Sequence, residues 1–353
     1  MAEDPGKDGG GRRLTYRDAG VDLERYDEAL ERIKRLVGST KTPGVLSDLG
    51  SFGGLFAPDL GACASPILVS SCDGVGTKLR VAFLSGIHDT VGRDLVNHCV
   101  NDILVQGARP LFFMDYLATG RLEAEVLAAV VEGIARGCRE SGCALLGGET
   151  AEMPGFYADG EYDIAGFVVG LVDREKLLDG SRIRAGDHVI GLASAGLHTN
   201  GYSLARKILF EVAELKLDDR VDGSNATVVE SLLAEHRCYL RDLAEPLDEG
   251  RIHGLAHVTG GGVSGNLPRI LPEGTAARLE RGAWPVPPLF TALQRLGNVD
   301  PEEMERTFNM GIGMLAVVGP DEVEPFRAQL EQSGTEHYAI GEIVSGDGGV
   351  RYV

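Results

Sequence analysis

Residues 67–78 read Ile67-Leu68-Val69-Ser70-Ser71-Cys72-Asp73-Gly74-Val75-Gly76-Thr77-Lys78. The apolar run Ile67 to Ser71 predicts a short buried strand, and Asp73-Gly74-Val75-Gly76 a tight turn that ends it. A helix of roughly a dozen residues is expected to follow. Downstream, Val91 to Gln106 predicts a second helix: Leu95, Cys99 and Ile103 form one apolar row, Val96, Val100 and Leu104 the next. Its opposite face carries Asp94, His98, Asn101 and Asp102 and reads as exposed. Pro110 to Tyr116 is a strand, Glu123 to Ser141 a helix, Cys143 to Leu146 a strand entering Gly147-Gly148-Glu149-Thr150, and Ile164 to Val172 a long strand. Upstream, Tyr26 to Val37 predicts a helix with Lys34 off its apolar stripe. Thr42 to Pro58, with Gly50, Gly53 and Gly54, predicts a flexible loop. This alternation predicts an α/β (α+β) fold and excludes all-helical and all-β architectures.

The charged stretch Asp173 to Asp187 marks a domain boundary. The expected division is a disordered tail over residues 1–14, an N-terminal domain over 15–175 and a C-terminal domain over 176–353. In the second half, His188 to Ala193, Leu255 to Thr259, Met314 to Val318 and Tyr338 to Val344 predict strands. A helix is expected after Ser194-Ala195-Gly196-Leu197-His198-Thr199-Asn200-Gly201.

The 53 acidic and 34 basic side chains leave a net charge of −19. Such a surface repels nucleic acid and anionic lipid, so neither is an expected partner. A polyanionic substrate therefore needs a local cationic pocket or a metal ion. Six cysteines form no Cys-x-x-Cys pair, and they read as reduced, mostly buried small hydrophobes in a cytoplasmic protein. No apolar run is long enough to span a membrane.

Several stretches offer chemistry, each beside a plainer reading. Asp73 to Lys78 sets a carboxylate, two glycines and a lysine in one turn, the makings of a metal–phosphate site or simply a tight turn. It lacks the Walker A spacing. Asp102 could join Asp73 on a hard cation, which seeks carboxylate oxygens, or belong to a solvated face. Glu149 follows two glycines and suits either a site or a helix start. His198, Asn200 and Ser203 stand where they cap a helix or meet a phosphate. Gly260-Gly261-Gly262-Val263-Ser264-Gly265 matches a dinucleotide fingerprint, with Glu280 as its acid, but Pro268 and Pro272 leave too short a helix for the usual crossover. His257 lies just upstream.

Seven stretches then occur in one order: Tyr16 to Asp22, Asp73 to Lys78, Val100 to Asp102, Gly147 to Gly155, His198 to Ser203, His257 to Gly262 and Thr307 to Met314. The series resembles the phosphoribosylformylglycinamidine cyclo-ligase (aminoimidazole ribonucleotide synthetase) family, from about Thr15 to the C-terminus. The resemblance implies a two-domain ATP-dependent synthetase fold whose N-terminal sheet forms a barrel across a homodimer. It implies ATP-driven cyclisation of formylglycinamidine ribonucleotide to 5-aminoimidazole ribonucleotide in purine synthesis, with ATP and Mg²⁺. By position it assigns Lys34, Gly53, Gly54, Asp73, Lys78 and Asp102 to ATP, and Asp73, Asp102 and Glu149 to metal. Glu149, His198 and Asn200 fall to substrate, and His257 and Lys34 to catalysis. Two relatives on the same scaffold fit less well: the first cysteine is Cys63, whereas selenophosphate synthesis uses one near the N-terminus, and the chain ends Arg351-Tyr352-Val353 rather than in the cysteine of the hydrogenase-maturation relative. An NAD oxidoreductase and a non-catalytic ATP sensor complete the alternatives.

Overall fold

The computed structural model describes residues 14–19, 23–61 and 63–353. Most of the tail expected at residues 1–14, and part of the Tyr16 to Asp22 motif, lie outside these residues.

In chain order the first half runs α1 (Leu23–Gly38), β1 (Pro66–Gly74), α2 (Leu79–Ser85), α3 (Asp89–Leu104), β2 (Arg109–Thr119), α4 (Ala124–Ser141), β3 (Ala144–Glu152) and β4 (Tyr162–Asp173). The sheet order is β1-β4-β2-β3, with β4 antiparallel to both neighbours and β2 parallel to β3. The unit β2-α4-β3 is a parallel crossover, and β4 returns between β1 and β2. Two expectations change here. A 3₁₀ turn over Gly76–Lys78 and the seven residues of α2 replace the longer helix expected after Asp73. The strand expected to stop at Leu146 continues through Gly147, Gly148 and Glu149. The loop over Thr42 to Pro58 is partly pinned, because Val45 and Phe56 form an isolated bridge.

Both apolar rows of α3 are buried against the sheet and α4. The two helices approach closely because Gly92 and Gly133 carry no side chain. A Cβ on Gly92 would sit 2.1 Å from the Val130 carbonyl oxygen, and one on Gly133 2.4 Å from that of Asp89. α3 is thereby fixed in height and rotation over the sheet. The sheet's other face is open and carries Leu68, Phe167, Met114 and Tyr116, all exposed.

The second half forms a sheet of β5 (His188–Ala193), β6 (Ile252–His257), β7 (Thr275–Leu279), β8 (Ile312–Val318), β9 (His337–Ser345) and β10 (Val350–Tyr352), in the order β10-β7-β9-β5-β8-β6. Only β10 and β7 are parallel; the other pairs are antiparallel. Since β6 pairs solely with β8, and antiparallel, the Gly260 to Gly265 motif follows no parallel crossover. The dinucleotide-binding alternative falls on that topology. One continuous core joins the halves, running from α3 and the first sheet to Tyr239, Leu243, Leu255 and Met314.

Candidate active site

The polar face of α3 is covered. Asp94, Asn97, His98 and Asn101 are buried, and Asp102 is partly so. What covers it is residues 234–239, which have no regular structure and whose buried backbone groups need partners. Asp94 Oδ1 accepts from His236 N (2.6 Å), and Asn97 Nδ2 donates to His236 O (2.6 Å). Asn101 Nδ2 donates to Arg237 O (2.8 Å), while its Oδ1 accepts from Tyr239 N (3.0 Å). These side chains hold the segment as a neighbouring strand would. The expectation of an exposed face is therefore corrected.

That docking gathers four histidines and two carboxylates at one cavity. His257 Nδ1–H donates to Asp102 Oδ1 (2.8 Å), and Ser71 Oγ donates to Asp102 Oδ2 (3.1 Å). His257 Nε2 faces His236 Nε2 at 3.1 Å. Asn101 Nδ2 lies 3.2 Å from the same His236 nitrogen, so an amide N–H and the second imidazole both meet it there. His98 Nε2 lies between the carboxylates, 3.3 Å from Asp73 Oδ2 and 3.8 Å from Asp102 Oδ2. Its Nδ1 pairs with Thr199 Oγ1 at 2.6 Å. His198 stacks on His236 with ring centres 4.0 Å apart, and its backbone is left-handed, φ 59°.

The cavity measures about 520 Å³, and Asp73, His98, Asp102, Asn200, His257 and Arg269 are among its lining residues. The buried Nδ2 of Asn200 has no partner among the described residues, a donor left for a ligand.

Charge follows the geometry. Burial pushes the Asp102 carboxyl up, but the His257 hydrogen bond and the charges of His257 and His98 outweigh it and hold it down at about 2. For His98 burial opposes protonation, and Asp73 and Asp102 more than reverse that, so its pKa is raised. Burial lowers His257 despite Asp102. Burial, then neighbouring cationic groups, hold His198 and His236 well below the ordinary histidine value. The site thus sets His98, its pKa raised by two carboxylates, beside three imidazoles whose pKa burial lowers.

The residues assigned by resemblance divide between places. Asp73, Asp102, Asn200 and His257 share the cavity, with His198 buried behind it. Gly53 and Gly54 instead line a second cavity beside α1, with Gly147 and Gly148. Lys34, on α1, is exposed and donates to Glu31 Oε1 (2.6 Å), away from His257. Glu149 is exposed on β3 and does not line the cavity of Asp73 and Asp102, so within one chain the three-carboxylate metal set is not assembled. Lys78 is fully buried, its Nζ 2.7 Å from Asp94 Oδ2 and 2.8 Å from Ala234 O. Both acceptors are internal, so its charge supports the docked segment rather than a cavity. His98 and His236 were not singled out from sequence. His98 stood on the α3 stripe beside Asp102, which was the available signal; His236 stood in no motif.

The chain matches the family model described as AIR synthase related protein, N-terminal domain, over residues 61–172, and its C-terminal counterpart over residues 184–353. It is 53% identical over 333 residues to a phosphoribosylformylglycinamidine cyclo-ligase of Trichlorobacter lovleyi, covering 94% of this chain and 95% of that one. Against the Sorangium cellulosum cyclo-ligase it is 54% identical, covering 94% and 96%. Among solved structures, the hydrogenase maturation protein HypE in complex with ATP superposes with a TM-score of 0.62 at 21% identity, covering 88% of this chain and 84% of that one, a likeness of fold. Identity above half over nearly the whole length, with both domain models in sequence, places the chain in the phosphoribosylformylglycinamidine cyclo-ligase family, ATP-dependent ligases that form 5-aminoimidazole ribonucleotide in purine biosynthesis.

Proposed function

We propose that ring closure takes place in the cavity between α3, β6 and the turn at residues 196–201, where an N-terminal domain (15–175) meets a C-terminal domain (176–353). The observation that carries this is the string Asp102–His257–His236 beside Asp73 and His98 at one opening. The formamide oxygen of formylglycinamidine ribonucleotide is a poor leaving group. Transfer of the ATP γ-phosphoryl group to that oxygen gives an imidate-like phosphate. The amidine nitrogen then attacks the activated carbon, the C–O bond to phosphate breaks, and the nitrogen loses a proton as the ring closes. ADP and inorganic phosphate are released.

Each side chain has a task in that sequence. His98, held between Asp73 and Asp102 with its pKa raised by both, faces the reacting phosphoryl oxygens with a ring N–H. Asn200 offers its free amide hydrogen to substrate, with His198 setting the turn behind it. His257, held at Nδ1 by Asp102 and at Nε2 by His236, relays the ring-closure proton along that string. Asp73 and Asp102 stand on either side of His98 Nε2 at the cavity, and hard cations prefer such oxygens, so these two acids would hold Mg²⁺ once His98 swings aside. Mg²⁺ bound there would neutralise triphosphate charge. Gly53, Gly54 and Lys34 fall to ATP at the second cavity.

The chain is read as a homodimer, in which the open face of the first sheet and its two edge strands, β1 and β3, are closed into a barrel by a second copy. The exposed Leu68, Phe167, Met114 and Tyr116 support this. Such a barrel also gives Glu149 a second chain to face. No helix among the described residues is long and apolar enough to cross a membrane. Purine synthesis from soluble nucleotides, and six free cysteines, favour the cytoplasm.

Two measurements test the reading. Incubation with ATP, Mg²⁺ and formylglycinamidine ribonucleotide is expected to yield ADP, phosphate and 5-aminoimidazole ribonucleotide one for one; ATP turnover without that product refutes it. Light scattering is expected to give twice the 37.5 kDa chain mass. A Phe167→Arg variant is expected to fall to the single-chain mass, and a wild type already monomeric at micromolar concentration rules the barrel out.

A further inference from the structure

Thr199 stands between His198 and Asn200 in the turn at residues 196–201, and the ring-closure sequence gives it no task. A threonine hydroxyl in a turn ordinarily bonds nearby backbone. Here both contacts of the hydroxyl among the described residues are imidazole nitrogens, His98 Nδ1 at 2.6 Å and His236 Nδ1 at 3.5 Å. His98 comes from α3 and His236 from the segment that covers it, so one hydroxyl joins the two.

A hydroxyl has one hydrogen to give, and Asn101 decides which ring receives it. Asn101 Oδ1 accepts from Tyr239 N and its Nδ2 donates to Arg237 O, so the amide cannot be turned over. Its second Nδ2 hydrogen is left for His236 Nε2, 3.2 Å away. An amide nitrogen donates only, which makes His236 Nε2 an acceptor there. Burial keeps that ring neutral, and the hydrogen-bond network therefore assigns its proton to Nδ1. His236 Nδ1–H faces the Thr199 oxygen, and the Thr199 hydrogen goes to His98 Nδ1, the shorter of the two bonds. With Nδ1 accepting, the His98 proton stands on Nε2, between Asp73 and Asp102. The direction of every hydrogen in the series Asn101–His236–Thr199–His98 is set by two backbone groups of the segment at residues 234–239.

We propose that Thr199 is a positioning residue for phosphoryl transfer: its hydroxyl keeps the His98 proton on Nε2, where it meets the phosphate, and ties that tautomer to the docked segment. This rests on the reading of the cavity given under the proposed function. Which imidazole nitrogen carries the proton is set by the bond the other one makes. The carboxylates of Asp73 and Asp102 favour the same tautomer while they are free, at 3.3 and 3.8 Å. A cation bound to them takes those lone pairs, and Thr199 is then the partner that His98 keeps. Without the hydroxyl, His98 can carry its proton on Nδ1 and turn a lone pair, not a donor, towards a phosphoryl oxygen.

The test compares wild type with Thr199→Val, which keeps the shape and removes the hydroxyl, and Thr199→Ser, which keeps the hydroxyl. Thr199→Ala is the second hydroxyl-free variant if the valine does not fold. Two-bond proton–nitrogen NMR spectra of isotope-labelled histidines report which nitrogen of each ring carries the proton, and His98→Gln identifies the His98 signal. Wild type is expected to show the His98 proton on Nε2 with and without Mg²⁺ and ADP. Thr199→Val is expected to lose that preference when Mg²⁺ and ADP are present, and Thr199→Ser to keep it. In turnover, Thr199→Val is expected to lower kcat by about 10- to 100-fold with KM for both substrates within about threefold of wild type, and Thr199→Ser to recover most of the loss. A wild type that makes no imidazole product refutes the reaction reading, while the spectra still decide the tautomer. A wild-type His98 proton on Nδ1, a hydroxyl-free variant with wild-type kcat, or Thr199→Ser as slow as Thr199→Val overturns the proposal.

Discussion

Replacing Lys78 by methionine separates two roles for the lysine. In the fold its ammonium is wholly buried, bonded to Asp94 Oδ2 and Ala234 O, with the Tyr202 ring 5.7 Å away. Lys78→Met leaves a buried carboxylate and a buried carbonyl without their donor. Breaking one side of a buried ion pair typically costs about 3–5 kcal/mol. For a chain of this size that corresponds to a melting temperature lower by on the order of 5–15 °C. Acidification supplies a check on the cause. Burial already raises the Asp94 carboxyl above its ordinary value, against the pull of Lys78. Without the lysine it rises further, and a folded-state pKa above the unfolded one costs stability above the unfolded value and returns it as pH falls. The deficit should therefore shrink between pH 7 and 5. Lys78→Met/Asp94→Asn should recover part of the loss, since an asparagine oxygen still accepts from His236 N. The assay is calorimetry of the three proteins at two pH values, beside ATP titration at a temperature where all are folded. An unchanged melting temperature together with an ATP Kd raised tenfold would refute the buried pair and return Lys78 to the nucleotide.

Asp102→Asn is expected to lower kcat by on the order of 10²–10³, because it removes a charge at the reacting centre and the anchor of His257; turnover within a factor of three of wild type rules that role out. In the wild type, a carboxyl held at about 2 against an ordinary 3.8 contributes stability above the unfolded value. That contribution, about 2 kcal/mol, is lost as pH falls from roughly 4 towards 2, and acid titration of Asp102→Asn should lack this component. Gly133→Ala drives a methyl against the Asp89 carbonyl and should cost about 1–3 kcal/mol while tilting α3. Melting and kcat are expected to fall together, and a neutral result in both would show that the helices have room to separate.

α3 shows why some of this was legible in the sequence and some was not. Its apolar rows recur at helical spacing, so the helix and its buried side follow from local order alone. The polar stripe obeys the same spacing whether water or protein lies on it, and the covering segment at residues 234–239 is more than a hundred positions away with no motif of its own. Yet the stripe's composition carried information. A solvated helix face ordinarily mixes acids with Lys and Arg, whereas this one holds Asp94, Asn97, His98, Asn101 and Asp102 with a single cation, Arg93, at its edge, and that arginine pairs with Glu140 and with Glu235 of the covering segment. Asparagine amides bond both backbone groups of a neighbour, as Asn101 does with Arg237 O and Tyr239 N. The short strands β7 and β10 gave no comparable signal, since five and three residues fit many local patterns.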